Sequence, residues 1–133
     1  RLPLVQCDGC ALPFADGSFD VVFTSYGAVP FVADSAGLMA EAARVLRPGG
    51  HFSISDIVSE GDVPADIRAS LSAYAACIGG AVDKADYLGL IEATGFVNVR
   101  VAREHVAGSL NTPDGSAVRA RLLSITVYAE RPA

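Results

Sequence analysis

A chain of 133 residues, 51% apolar and 19% charged, is long enough for one domain with a core of its own and too apolar to be disordered. Its net charge of −5, with no basic cluster, argues against nucleic acid as a partner, and no apolar run approaches the roughly 18 residues of a membrane span. The three cysteines make no disulfide framework and no signal peptide is visible, so a cytoplasmic location is expected.

The chain opens on Arg1 and its one methionine is Met39, so it is expected to be trimmed or a piece of something longer. Leu2 to Gln6 is apolar and is expected as a short strand ending at Cys7-Asp8-Gly9-Cys10. Residues 11–18, with Pro13 and Asp16-Gly17, read as a loop with a tight turn. Phe19 to Thr24 is a strand, and its run Val21-Val22-Phe23 suits burial on both faces. Asp34 is placed to cap a helix along Leu38, Ala42, Val45 and Leu46, which Pro48-Gly49-Gly50 stops with a sharp turn. His51 to Ser55 then forms a strand parallel to the first, joined to it by a right-handed crossover.

Past Asp56-Ile57-Val58, a loop over 59–63 leads to a helix from about Pro64 to Ile78, with Ile67, Leu71, Tyr74, Ala75 and Ile78 on one stripe and Gly79-Gly80 at its end. Asp83 caps another helix through Tyr87, Leu88, Leu90 and Ile91, closed by Gly95. Val97 to Glu104 alternates as a strand, residues 107–116 read as a turn-rich loop, and Leu122 to Ala129 is the last strand. The order of elements predicts an α/β fold with an antiparallel pair at its end. In such a sheet ligands bind outside the carboxyl ends of the strands, here Asp8-Gly9, Thr24-Ser25-Tyr26-Gly27 and Ser55-Asp56. Asp8 is the sharpest of these, an acid beside a glycine that admits a ligand to the backbone; the plainer reading is that it starts a turn.

The segment from Cys7 to Val22, with Leu12-Pro13-Phe14 and Asp16-Gly17-Ser18-Phe19-Asp20, followed by Arg44-Val45-Leu46-Arg47-Pro48-Gly49-Gly50, resembles the middle of a class I S-adenosylmethionine-dependent methyltransferase. The resemblance covers the whole chain. It implies a partial Rossmann-like sheet closed by a C-terminal antiparallel hairpin, a single truncated domain over residues 1–133, S-adenosyl-L-methionine as cofactor and a small-molecule substrate. It implies that Asp8 contacts the adenine amino group, that the Gly9-Cys10 backbone lines the adenine pocket, and that Thr24, Ser25, Tyr26 and Gly27 lie under the methionine end and the substrate. The family's glycine-rich loop and its ribose-binding acid both precede the position of Asp8 and have no counterpart here, so weak cofactor binding or none is expected of the isolated chain.

The second half, from Ser55-Asp56-Ile57-Val58 through Tyr74-Ala75-Ala76-Cys77-Ile78-Gly79-Gly80-Ala81 and Gly95-Phe96 to Ser124-Ile125-Thr126-Val127, is similar to bacterial arsenite methyltransferases. That resemblance implies that Cys77 is an arsenic ligand. A thiolate suits the chemistry, because trivalent arsenic is soft and its lone pair can attack a methyl sulfonium without a general base, leaving the protein only the alignment to supply. The arsenic enzymes carry a second cysteine where this chain has Gly27, so one soft ligand is gone. At 100° per residue Cys77 falls off the apolar stripe of its expected helix, which leaves it available; small apolar filler is the other reading.

Other signals are set aside. Cys7-x-x-Cys10 has no second half for zinc and opens a loop where a redox pair would open a helix, so no metal site is expected. His51, at the far end of its strand, is expected on the surface, and His105 is no better placed as a base. Asp56, at a strand end, is a substrate-side candidate or a turn cap. Two alternatives stay open: a methyltransferase acting on O, N or C of a metabolite, and a non-catalytic, self-associating fragment. A nucleotide-linked oxidoreductase would need a glycine fingerprint that is equally absent. With strands missing between the first two, a homodimer across the exposed edge, or displacement of residues 1–10, is expected.

Overall fold

The computed structural model describes residues 2–25 and 27–133, without the side chain of Tyr74. The elements are β1 (Phe19–Phe23), a 3-10 turn (Val29–Phe31), α1 (Ser35–Val45), β2 (Leu46–Gly61), α2 (Ala65–Arg68), α3 (Leu71–Ala75), β3 (Val82–Asp83), α4 (Lys84–Ala93), β4 (Val97–Asn111) and β5 (Val118–Glu130). The sheet runs β1-β2-β5-β4. β1 lies parallel to β2, β5 is antiparallel to β2 from His51↔Glu130 to Gly61↔Ala120, and β4 is antiparallel to β5. Because β5 occupies one whole edge of β2, the short β3, parallel to it at Val58 and Ser59, shares the other edge with β1. Between them the chain leaving β1 takes up the free edge, with Thr24 N donating to Ser53 O at 2.9 Å and Gly27 N to Ser55 O at 3.3 Å.

Alternation sets the core. Phe52, Ile54 and Val58 of β2 and Leu123, Ile125, Val127 and Ala129 of β5 share a face under Met39 and Ala42 of α1 and Tyr87 and Ile91 of α4. Phe96 stacks on Phe52 at 5.0 Å between ring centres. Asp34 caps α1 by accepting from Gly37 N at 2.8 Å, and Asp83 caps α4 by accepting from Ala85 N at 2.8 Å, both as expected. With α1 and α4 on one side only, Val22 packs inward while Val21 and Phe23 remain 50% and 72% exposed; the expectation of burial on both faces of β1 is corrected accordingly.

Four further expectations change. Leu2 to Gln6 forms no strand, since it finds no partner to share its backbone hydrogen bonds; Leu2, Leu4 and Val5 stand exposed and only the bridge Asp8↔Ala11 follows. β2 begins at Leu46, five residues early, and Pro48-Gly49-Gly50 bulges out of the ladder between the pairs Phe19↔Leu46 and Val21↔His51. The helix expected over 64–78 is two short helices, because Ser70 Oγ accepts from Ala73 N and starts a new N-terminus; Leu71, placed on the apolar stripe, is 86% exposed. The loop expected over 107–116 narrows to a turn after Asn111, since β4 and β5 keep pairing through register shifts that leave Ala107 and Arg119 out of the ladder.

Arg44 of α1 pins the loop before β1. Its guanidinium donates to Leu12 O at 2.9 Å, Phe14 O at 2.8 Å and Asp16 Oδ1 at 2.7 Å, and to both oxygens of Glu41 at 2.7 and 2.8 Å, while Glu41 Oε2 also accepts from Leu12 N at 2.7 Å. Hydrogen bonds from Arg44 and the Leu12 amide hold the Glu41 carboxyl down at about 2. A carboxyl depressed on folding stabilises the native state above its ordinary range, and that contribution disappears as pH falls from about 4.5 toward 2. Thermal midpoints recorded from pH 7 to 2 should therefore fall less steeply below pH 4.5 for Glu41→Gln than for the unaltered chain; parallel curves would show that the clamp contributes nothing.

Candidate functional site

Two depressions open beside the carboxyl end of β1 and the middle of β2, which runs on past Ser55 and Asp56 to Gly61 in place of the strand end and the loop over 59–63 expected from sequence, because β5 pairs with it as far as Gly61. The larger, about 360 Å³, is lined by Ser25, Gly27, Ser55, Asp56, Ile57, Cys77 and Ser124. The smaller, about 180 Å³, is mostly apolar and is lined by Gly9, Leu12, Val22, Phe23, Thr24, Leu38, Ala42 and Phe52.

In the larger cavity the fold brings together Ser25, Gly27, Asp56 and Cys77, four of the residues expected at the site from sequence. Asp56 is buried. Its Oδ1 accepts from Ala28 N at 3.1 Å, its Oδ2 accepts from the Tyr87 hydroxyl at 2.7 Å, and the Val29 amide also donates to it. Burial pushes its carboxyl up and these donors oppose the shift, while burial and then the Asp56 charge push the Tyr87 phenol up. Gly27 sits at φ +85°, and a Cβ there would lie 3.0 Å from Asp56 Oδ1 and 3.1 Å from Phe31 Cε2, so the site takes no side chain without displacing something.

Cys77 occupies an unusual position. α3 ends in a turn in which Ile78 N and Gly79 N both donate to Ala73 O, at 2.8 and 2.9 Å, and Cys77 takes the left-handed conformation, φ +63°, that glycine normally fills in such a cap. Sequence placed Cys77 on a helix flank; the structure places it past the helix end, among the residues that line the cavity.

In the smaller depression, Gly9 lets the loop approach α1 so closely that a Cβ would meet Leu38 Cδ1 at 2.9 Å. Thr24 Oγ1 is buried there without a hydrogen-bond partner among the described residues. Asp8, exposed at the rim, accepts from Cys10 N at 2.8 Å through one oxygen. The Cys10 side chain turns away, with Sγ donating to Asp34 O at 3.3 Å, and burial followed by the nearby Asp8, Asp34 and Glu41 charges pushes its thiol up. Ser25, expected with the cofactor, faces the larger cavity. Tyr26 lies outside the described residues.

His51 is exposed and meets the Tyr128 hydroxyl at 2.7 Å, and His105 is exposed on β4. No cluster of three or more candidate metal ligands occurs among the described residues, and no helix among them is long and apolar enough to cross a membrane. Sequence reading missed Tyr87, Ser124 and the Glu41–Arg44 clamp. A tyrosine on the buried stripe of α4, which needs a partner for its hydroxyl, and an acid–arginine pair three residues apart on α1 were the available signals.

Residues 1–54 match the methyltransferase domain family. An X-ray structure of an arsenic(III) S-adenosylmethionine methyltransferase from Chlamydomonas reinhardtii superposes with a TM-score of 0.72 at 28% identity, over 87% of this chain and 38% of that one. The chain belongs to the class I S-adenosylmethionine-dependent methyltransferases. Within this family it is similar to the arsenite methyltransferases of Halobacterium salinarum, 30% identical over 125 residues, and of Aquipseudomonas alcaligenes, 31% identical over 97 residues. These alignments take in 92% and 73% of this chain but 32% and 28% of the relatives, so the chain spans about a third of their length.

The smaller depression suits part of the family's cofactor. Its apolar walls and the unpartnered Thr24 hydroxyl fit a flat heterocycle with a polar substituent.

Proposed function

We propose that this chain carries the acceptor half of a methyltransferase site, in which the larger cavity holds a small acceptor beside S-adenosylmethionine, and that the acceptor is arsenite bound through Cys77. The observation that carries this reading is the cap at Cys77. A non-glycine residue held in a left-handed conformation costs about 1–3 kcal/mol, and such strain gathers where a side chain has work to do. Glycine would end α3 without that cost, yet the chain puts a thiol there, inside a cavity formed with Ser25, Gly27 and Asp56.

Asp8, Gly9 and Thr24 would hold the cofactor, which supplies an activated methyl group on a sulfonium. The Cys77 sulfur holds the soft acceptor, the As–S bond forming as one arsenite hydroxyl leaves with the thiol proton as water; Ser25, Ser55 and Ser124 offer hydroxyls to the remaining oxygen atoms, and Gly27 keeps the approach open. Arsenic brings its own lone pair and has no proton to lose, so Asp56, whose oxygens are engaged by Ala28, Val29 and Tyr87, is not required as a base.

Two titrations of the chain test this. S-adenosylhomocysteine, bound weakly as a partial cofactor site allows, should release heat at high ligand concentration, and Asp8→Ala should abolish it. Arsenite should slow iodoacetamide alkylation of Cys77, read peptide by peptide in a mass spectrometer, without slowing that of Cys7. Cys77→Gly should gain up to about 1 kcal/mol of stability, since the strain is relieved. If Cys77 alkylates at the same rate with and without arsenite, the acceptor is a carbon, nitrogen or oxygen nucleophile. If no homocysteine derivative binds, the cofactor site needs more than this chain.

A further inference from the structure

We infer that Tyr87 is a positioning residue for the Cys77 thiol, acting through Asp56 and the Ala28–Pro30 segment; the inference rests on the reading of Cys77 as the acceptor ligand. Tyr87 and Cys77 are ten residues apart, in different elements, and a short series of contacts joins them. The Tyr87 hydroxyl donates to Asp56 Oδ2 at 2.7 Å. Asp56 Oδ1 accepts from Ala28 N at 3.1 Å, and the Val29 amide adds a further bond to the same carboxylate. These bonds fix the entry to the 3-10 turn, in which Val29 and Pro30 are buried.

Pro30 in turn seats the segment after Cys77. A Cβ on Gly80 would stand 2.5 Å from Pro30 O and 3.0 Å from Pro30 Cβ, so the backbone at Gly80 lies directly against the proline with no room for a side chain. Gly80 is three residues beyond Cys77, and Ala81 N donates to Ile78 O at 3.1 Å, closing the turn between them. The Cys77 turn is therefore held from two ends, by the α3 cap and by the Pro30 seat. Short helices of four and five residues, with Leu71 exposed, contribute little independent stiffness. The seat carries the placement, and its fixed point is the buried Asp56 carboxylate that Tyr87 orients.

Tyr87→Phe removes only the hydroxyl and keeps the ring in the core. In the three-cysteine chain, without arsenite, iodoacetamide alkylation of Cys77 should rise about threefold or more as the turn opens more often, while alkylation of Cys10 stays as it was. The amide resonances of Ala28, Val29 and Gly80 should shift together in the ¹⁵N spectrum. Ile91→Val, one turn along the same helix and fully buried, is the control: it costs stability but touches none of these bonds, and Cys77 should alkylate as in the unaltered chain. Gly80→Ala breaks the seat from the other side and should raise Cys77 alkylation with the Tyr87–Asp56 bond intact, which keeps the inference testable should Tyr87→Phe not fold.

The inference is overturned if Tyr87→Phe or Gly80→Ala leaves Cys77 alkylation unchanged, or if Ile91→Val raises it equally. None of these readings involves arsenite. A failure of the acceptor assignment therefore shows only in the arsenite protection experiment, and a failure of the positioning role only here.

Discussion

Phe52→Ala is expected to cost about 3–5 kcal/mol, seen as a large shift of the urea unfolding midpoint or as a chain with no cooperative transition. Phe52 is 1% exposed, stacks on Phe96, and lies in the strand that pairs with β1 on one edge and β5 on the other. Truncating it leaves a cavity where α1, α4 and the sheet converge. Domains of this size carry about 5–15 kcal/mol in total, so the loss takes a large share. Phe23→Ala makes the same chemical change at a side chain 72% exposed and should move the midpoint by less than about 0.5 kcal/mol. Equal effects at the two positions would mean that the covered face of the sheet is not the core.

Gly27→Cys is expected to lose arsenite affinity rather than gain it. It introduces a thiol into a cavity read as holding one already, so counting ligands alone predicts tighter binding. Geometry predicts the reverse. The backbone at Gly27 is left-handed, costing about 1–2 kcal/mol for any other residue, and the new Cβ would press on Asp56 Oδ1 at 3.0 Å and on the Phe31 ring at 3.1 Å. Asp56 cannot move aside without releasing the Ala28 amide and the Tyr87 hydroxyl, and crowding of this kind adds about 1–3 kcal/mol. Arsenite protection of Cys77 should fall tenfold or more, at about 1.4 kcal/mol per decade, and Gly27→Ala should fall with it. Tighter arsenite binding by Gly27→Cys would show that the loop rebuilds freely and that Asp56 does not fix it.

The strand–helix–strand unit around α1 was legible because each signal there is local: Asp34 caps its own helix, and Ala42, Val45 and Leu46 reach the core at the expected spacing, although the neighbour of Leu38, Met39, is the residue buried at the start of that stripe. The Cys77 region was not, because two weak helices and a strained cap depend on contacts with Pro30 and the cavity that no spacing rule contains. Leu2 to Gln6 has strand composition, but a strand also needs a neighbour, and pairing is a property of the whole sheet. Asp56 was placed at the site from its position at a strand end. That Tyr87 meets it could not be read from sequence spacing, since the two approach only when α4 folds over the sheet.

β2 carries a consequence for how the chain acquires its structure. It is paired along most of its length by β5, whose residues come from the other end of the chain, so His51 waits for Glu130 and Ile54 for Val127. The β4–β5 hairpin, closed by the turn at Thr112, can form early from neighbouring residues. The central ladder instead requires a long loop to be closed before any of its hydrogen bonds is gained, which makes refolding slow for a domain of this length. During synthesis, β2 leaves the ribosome well before β5 and stays without its antiparallel partner until β5 follows.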